Sequence, residues 1–157
     1  MVGSNRIRRC RGVTLMELMA TLALLGTLAA FAIPAFSGYA ERARINAAIG
    51  DIGRYSIEVH RWRTNNGGAF PDTLADLAAV GVVINPDPWG NAYVYEDAAT
   101  AVAGTMRTQA GNEVNTEFDL YSRGPDGASA VSLTDGDSLD DVVLARDGAY
   151  VGKAEAL

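Results

Sequence analysis

The spacing of apolar and charged residues divides the chain into a basic start, an apolar segment and a mixed remainder. Residues 1–12 contain four arginines, at positions 6, 8, 9 and 11. No charged side chain occurs from Leu18 to Ala40, which we call the apolar segment. As a helix, this segment is long enough to cross the hydrocarbon core of a bilayer, about 30 Å thick. The arginines before it would keep the N-terminus on the cytoplasmic side.

The pattern after the apolar segment changes to that of an amphipathic helix. Apolar residues recur at helical spacing on one face, at Ile45, Ile49, Ile52, Tyr55, Val59 and Trp62. We predict one long helix over residues 13–64, membrane-spanning to about residue 38, with the apolar stripe packed against a globular domain. Pro34 lacks an amide hydrogen and predicts a kink. Asn and Gly at positions 65–68 predict the end of the helix.

Residues 65–157 have the pattern of a small domain. We predict a short helix over residues 71–79 ended by Gly81, strands over 92–95 and 117–122, and a loop between them with a weak strand at 105–108. Residues 141–144 and 149–151 predict short edge strands, and residues 152–157 a loose tail. The fold class is therefore α+β, a long N-terminal helix packed on a small antiparallel sheet. We interpret its aromatic residues as core rather than as a ligand platform (Trp89, Tyr93, Tyr95, Phe118).

Composition narrows the functional classes. The net charge is −6, and removing the four leader arginines from 13 basic residues leaves nine against 19 acidic residues. This balance argues against nucleic-acid binding, which needs a basic face. The single cysteine, Cys10, lies in the basic start, so a chain cut after residue 12 would have no disulfide. We find no nucleophile–base, phosphate-loop or zinc pattern, and His60 alone predicts a packing or solvated histidine.

The junction Gly12-Val13-Thr14-Leu15-Met16-Glu17 resembles the type IV prepilin signature. A secretory signal would be cut after its apolar region, whereas this signature is cut before it. The resemblance implies cleavage after Gly12, N-methylation of Val13 (where the family usually has Phe), and pairing of Glu17 with the new α-amino group on a neighbouring subunit. A carboxylate that snorkels from a plain membrane anchor is the alternative for Glu17.

Two later segments, Asp87-Pro88-Trp89-Gly90-Asn91-Ala92-Tyr93-Val94-Tyr95 and Phe118-Asp119-Leu120-Tyr121-Ser122-Arg123-Gly124-Pro125-Asp126-Gly127, resemble the major pseudopilins of type II secretion systems. That resemblance implies a calcium ion in the C-terminal loop, where Asp126 matches the family motif. The sequence does not assign the remaining ligands uniquely, and backbone carbonyl groups near Arg123 would supply further oxygen ligands. The carboxylate candidates are Asp126, Asp137, Asp140 and Asp141. The alternative is a solvated acidic loop.

These resemblances imply a structural protein rather than an enzyme. The expected precursor is a single-pass inner-membrane protein of a Gram-negative bacterium, cut by a prepilin peptidase. It would assemble with further copies and with minor pseudopilins, on an inner-membrane secretion platform, into a periplasmic filament that drives export of folded proteins. The first alternative is a type IV pilus subunit, major or minor, serving adhesion, motility or DNA uptake. A singly anchored periplasmic enzyme is a third and disfavoured interpretation.

Overall fold

The computed structural model describes residues 12–157, and the four leader arginines and Cys10 lie outside them. Helix α1 spans Leu15–Asn65 and confirms the predicted long helix. The internal contacts of the chain group into two compact units, one ending at Ala40 and the other covering Glu41–Leu157. The second half of α1 therefore belongs to the same unit as the strands.

Both ends of α1 are set by local hydrogen bonds. The Thr14 hydroxyl accepts a hydrogen bond from the Glu17 amide at 3.2 Å, as an N-cap side chain does. At the other end the Gly68 amide donates to the Arg63 carbonyl at 2.9 Å, and Gly67 has φ of 70°, which favours glycine. This geometry confirms the predicted helix end. Pro34 lies within α1, and the kink there stays a prediction.

Besides the second half of α1, the second unit contains three short 3-10 helices and six strands. The 3-10 helices are Leu74–Val80, Gly136–Ser138 and Ala154–Ala156. Gly81 ends the first of them with φ of 85°, as predicted. The strands are β1 Val94–Asp97, β2 Thr108–Gln109, β3 Asn112–Glu113, β4 Phe118–Ser122, β5 Val142–Ala145 and β6 Tyr150–Lys153. Four form an antiparallel sheet in the order β1-β4-β5-β6, while β2 and β3 form a separate hairpin.

The core of this unit lies between the amphipathic half of α1 and the sheet. Ile52, Tyr55 and Val59 of α1 are fully buried, together with Phe118 and Leu120 of β4. The Tyr55 ring meets the Tyr93 ring edge-on, with centroids 5.3 Å apart. The predicted apolar stripe and the interpretation of the aromatic residues as core are confirmed.

Three local predictions were wrong. β5 was predicted at an edge but lies between β4 and β6, and all four of its residues are buried. The tail was predicted to be loose, but β6 reaches Lys153 and the Ala154 amide donates to the Asp141 carbonyl at 2.9 Å. The region between β1 and β4 was predicted to hold a weak strand at 105–108 and holds the β2–β3 hairpin instead.

Candidate functional site

The N-terminal motif lies at the start of α1 and is exposed. Gly12, Val13 and Thr14 precede the helix and are exposed, and 70% of the Val13 surface is accessible. Glu17 is exposed in the first turn of α1, where its negative charge interacts favourably with the positive end of the helix dipole. Cleavage after Gly12, methylation of Val13 and pairing of Glu17 stay predictions, since each requires another molecule.

The first half of α1 presents apolar side chains on every face. Residues 13–33 and 36–39 are all exposed, although they include thirteen large hydrophobic residues (Val13, Leu15, Met16, Leu18, Met19, Leu22, Leu24, Leu25, Leu28, Phe31, Ile33, Phe36 and Tyr39). The helix is long and apolar enough to cross a membrane, and none of its apolar window is buried within the described structure. A continuous apolar surface of this kind marks a membrane or protein contact.

The two segments that resemble pseudopilins contact each other in the second unit. The Asp87 carboxylate accepts hydrogen bonds from the Trp89 and Asn91 amides, at 3.0 and 2.8 Å, and from the Ser122 hydroxyl. The Asn91 side chain donates to the Gly124 carbonyl at 3.0 Å. Asp87 is buried, so these bonds offset the cost of removing its carboxylate from water. The Pro-Trp-Gly-Asn turn and the turn after β4 therefore hold each other in place.

The predicted calcium ligands occupy different environments. Asp126 is exposed, and its Oδ1 accepts the Ala128 amide at 2.8 Å. Asp137 is exposed in the 3-10 helix Gly136–Ser138 before β5. Asp140 approaches Gly124 so closely that a Cβ on Gly124 would lie 2.7 Å from the Asp140 carbonyl oxygen. Asp141 is fully buried.

Asp141 faces a buried arginine that sequence reasoning missed. Arg107 Nη2 donates to Asp141 Oδ2 at 3.2 Å, and their side chains are 4% and 0% exposed. The Ser129 hydroxyl accepts from the same guanidinium and donates to the same carboxylate oxygen. The Arg107 guanidinium carbon lies 3.7 Å from the centre of the Tyr121 ring. The only sequence signal was one basic residue, Arg107, in a segment otherwise poor in charge.

The electrostatics of Asp141 reflect this crowding. Burial raises the pKa of Asp141 to about 7, the Ser129 hydrogen bond and Arg107 lower it, and the carboxylates of Asp140 and Asp126 raise it. Asp141 Oδ1 has no hydrogen-bond donor among the described residues. Within residues 12–157, no three His, Cys, Asp or Glu side chains come together as a metal site. Calcium binding stays a prediction of the resemblance.

Comparisons with known proteins cover most of the chain. The prokaryotic N-terminal methylation motif matches residues 7–33. A type II secretion system core protein G of Pseudomonas aeruginosa is 30% identical, over 83% of this chain and 94% of its own. One from Escherichia coli is 29% identical over 74% of this chain and 83% of its own. A type IV major pilin protein PilE1 of Neisseria gonorrhoeae is 28% identical over 88% and 86%. No solved structure gave a significant match.

Proposed function

The chain belongs to the type IV pilin-like superfamily, and we propose that it is a structural subunit of a type II secretion pseudopilus. Members of this superfamily are structural subunits, so the chain is a structural protein rather than an enzyme. The N-terminal methylation motif and the similarity to core protein G along nearly the whole length of that relative support the proposal.

The observation that carries the proposal is the uncovered apolar first half of α1. A helix that is apolar all round is stable only within lipid or among other apolar helices. Residues 13–33 and 36–39 are exposed in a single chain, so both the precursor and the mature subunit need an external apolar environment. Lipid supplies it for the precursor, and helices of neighbouring copies supply it in a filament.

Cleavage after Gly12 adds the second element of the mechanism. It removes the leader arginines and creates an α-amino group at Val13, four residues before Glu17. A carboxylate within lipid costs a few kcal/mol unless it is partnered. An amine on a neighbouring subunit at the same depth would be that partner, so assembly would relieve the cost that Glu17 imposes on the isolated subunit.

The remaining assignments follow the type II secretion interpretation. The precursor is a single-pass inner-membrane protein of a Gram-negative bacterium, and a prepilin peptidase cuts it. The mature chain joins further copies and minor pseudopilins on the inner-membrane secretion platform. The resulting periplasmic filament drives folded proteins across the outer membrane.

A type IV pilus subunit is the second candidate, favoured by the similarity to a type IV major pilin. Deletion of the coding sequence separates the two functions. Blocked release of secreted proteins, with unchanged surface fibres, supports the pseudopilus. Loss of fibres outside intact cells, with normal secretion, supports the pilus.

Processing is tested by Gly12→Ala in the full chain, with Gly3→Ala as a matched control in the same basic leader. The expected result is that Gly12→Ala remains an uncut, unassembled membrane precursor, while Gly3→Ala is cut and assembled like the wild type. A second variant, Glu17→Leu, should be cut normally but should not enter filaments. Normal trimming of Gly12→Ala would refute the cleavage assignment.

A further inference from the structure

The acidic region before β5 already contains a buried cation, the Arg107 guanidinium. It lies between Asp141, the residue before β5, and the Tyr121 ring in β4. Arginine suits this position because its planar group stacks on an aromatic ring while its edge donates to a carboxylate. One side chain thereby connects the loop before β2 to strand β4 and to the residue that leads into β5.

The backbone of Arg107 is also held in place. Its amide donates to the Asp119 carboxylate, and its carbonyl accepts the Val114 amide at 3.0 Å. Asn115 then donates to the other Asp119 oxygen at 2.8 Å. Because these contacts fix the start of the side chain, the guanidinium is oriented toward Asp141 with little freedom left to lose.

The four carboxylates that the resemblance implies as calcium ligands do not fit one ion cage in the described structure. Asp141 Oδ2 is engaged by Arg107 and Ser129, and Asp126 Oδ1 accepts a backbone amide. Asp137 is exposed, while Asp140 is half-buried against Gly124. No three of the carboxylates come together as a metal site within residues 12–157. An arriving divalent ion would also have to sit beside a buried guanidinium, and the two positive charges would repel each other. One observation favours an added ion, because Asp141 Oδ1 has no hydrogen-bond partner among the described residues.

We propose that the Arg107 guanidinium is the cation that balances the carboxylates before β5, so that the folded second unit depends on Arg107 and does not require calcium. The guanidinium neutralises Asp141 and stabilises the contact between β4 and the loop that leads into β5. This inference concerns the stability of the subunit and does not depend on which filament the subunit forms.

The first test uses the unmodified full chain in detergent, stripped of divalent ions with a chelator. Its melting temperature is followed by tryptophan fluorescence, which reports the second unit because Trp62 and Trp89 both lie there. Adding calcium chloride should leave the melting temperature unchanged within about 1 °C, since a ligand stabilises a protein only if it binds the folded state. A calcium-dependent rise that Asp126→Ala abolishes would overturn the proposal.

The second test removes the guanidinium. Arg107→Gln breaks a buried ion pair and should lower the melting temperature by about 10–20 °C. Arg123→Gln is the matched control, because it removes the same charge from an exposed position in the neighbouring turn and should have little effect. Equal melting temperatures for Arg107→Gln and the wild type would overturn the proposal.

A third variant keeps the proposal testable if Arg107→Gln does not fold. Arg107→Leu combined with Asp141→Leu removes both charges, so no unpaired charge remains buried. This double variant should be more stable than the Asp141→Leu single variant, which leaves the arginine buried without its partner. A double variant less stable than Asp141→Leu would contradict the pairing.

Discussion

Replacing Asn115 with alanine should destabilise the second unit far more than its position in a loop suggests. Asn115 is 1% exposed, and its side-chain amide donates to Asp119 Oδ1 at 2.8 Å and to the Leu144 carbonyl at 2.9 Å. Its Oδ1 accepts the Asp147 amide at 2.9 Å. The side chain thus joins the segment before β4 to β4, to β5 and to the turn before β6.

The expected loss in the free energy of unfolding depends on which hydrogen-bond partners of Asn115 are accessible to water. Asp119 and Leu144 are buried, so the charge-assisted bond to Asp119 contributes about 2 kcal/mol and the bond to the Leu144 carbonyl about 1 kcal/mol. Asp147 is exposed, and water can replace its lost bond. Asn115→Ala should therefore cost about 3 kcal/mol, or about 10 °C in melting temperature for a unit of this size.

The assay is thermal unfolding of the full chain in detergent, followed by tryptophan fluorescence. Asn112→Ala is the control, because Asn112 lies in the same region but is exposed and its side chain donates to the Ala110 carbonyl across 3.5 Å. The backbone pairing of Asn112 with Gln109 does not depend on that side chain. It should change stability by less than about 0.5 kcal/mol. If the two variants had the same melting temperature, the buried hydrogen bonds of Asn115 would not stabilise the fold as described.

Three further predictions concern other contacts of the second unit. Gly124→Ala should lower the free energy of unfolding in urea more than Gly104→Ala does. Both glycines have positive φ, but only at Gly124 would a Cβ lie 2.7 Å from the Asp140 carbonyl oxygen. Burial, followed by nearby carboxylates, raises the pKa of Tyr93 above its usual value of 10. Tyrosine in the unfolded chain loses its proton near pH 10, so the free energy of unfolding should stay constant just below about pH 10 and fall above it. The fall should be less steep in Tyr93→Phe. Unfolding measured at each pH checks this. Tyr55→Phe removes one buried hydroxyl that accepts a backbone amide at 3.0 Å and should lower the free energy of unfolding by about 1 kcal/mol in the same assay.

Elements with a strong local signal could be predicted from the sequence. The uncharged segment and the apolar stripe after it have the period of a helix, and α1 covers Leu15–Asn65 as expected. Gly67 and Gly81 adopt positive φ where the helices end. These features depend on neighbours in sequence or on one periodic face, so the pattern of residue types is sufficient.

Elements decided by distant partners were predicted poorly. A strand near Tyr150 was predicted and β6 does lie at the sheet edge, but the sequence does not show that β6 pairs with β5 and thereby places β5 inside the sheet. Asn115 and Arg107 lie in a stretch with the composition of a loop, yet their side chains contact residues up to 34 positions away. Sequence spacing carries no information about such contacts, because they form only once the sheet has assembled.

The predicted functional residues divide in the same way. Gly12, Val13 and Glu17 could be named as candidates because a cleavage signal is a continuous stretch of sequence, and their roles stay predictions. The acidic residues Asp126, Asp137, Asp140 and Asp141 could be named from the sequence as candidate calcium ligands, and calcium binding stays a prediction. The arginine that pairs with Asp141 could not be named. A buried cation changes the interpretation of an acidic loop, and only the folded structure shows that one is present.

In the proposed maturation the apolar half of α1 is retained because cleavage occurs before it, and this half then enters a filament. Mass spectrometry of filament subunits isolated from the native organism would show where the mature chain begins. We expect a chain that begins at Val13 with a methylated α-amino group and retains Glu17. An intact Met1, or a first residue beyond Ala40, would contradict it.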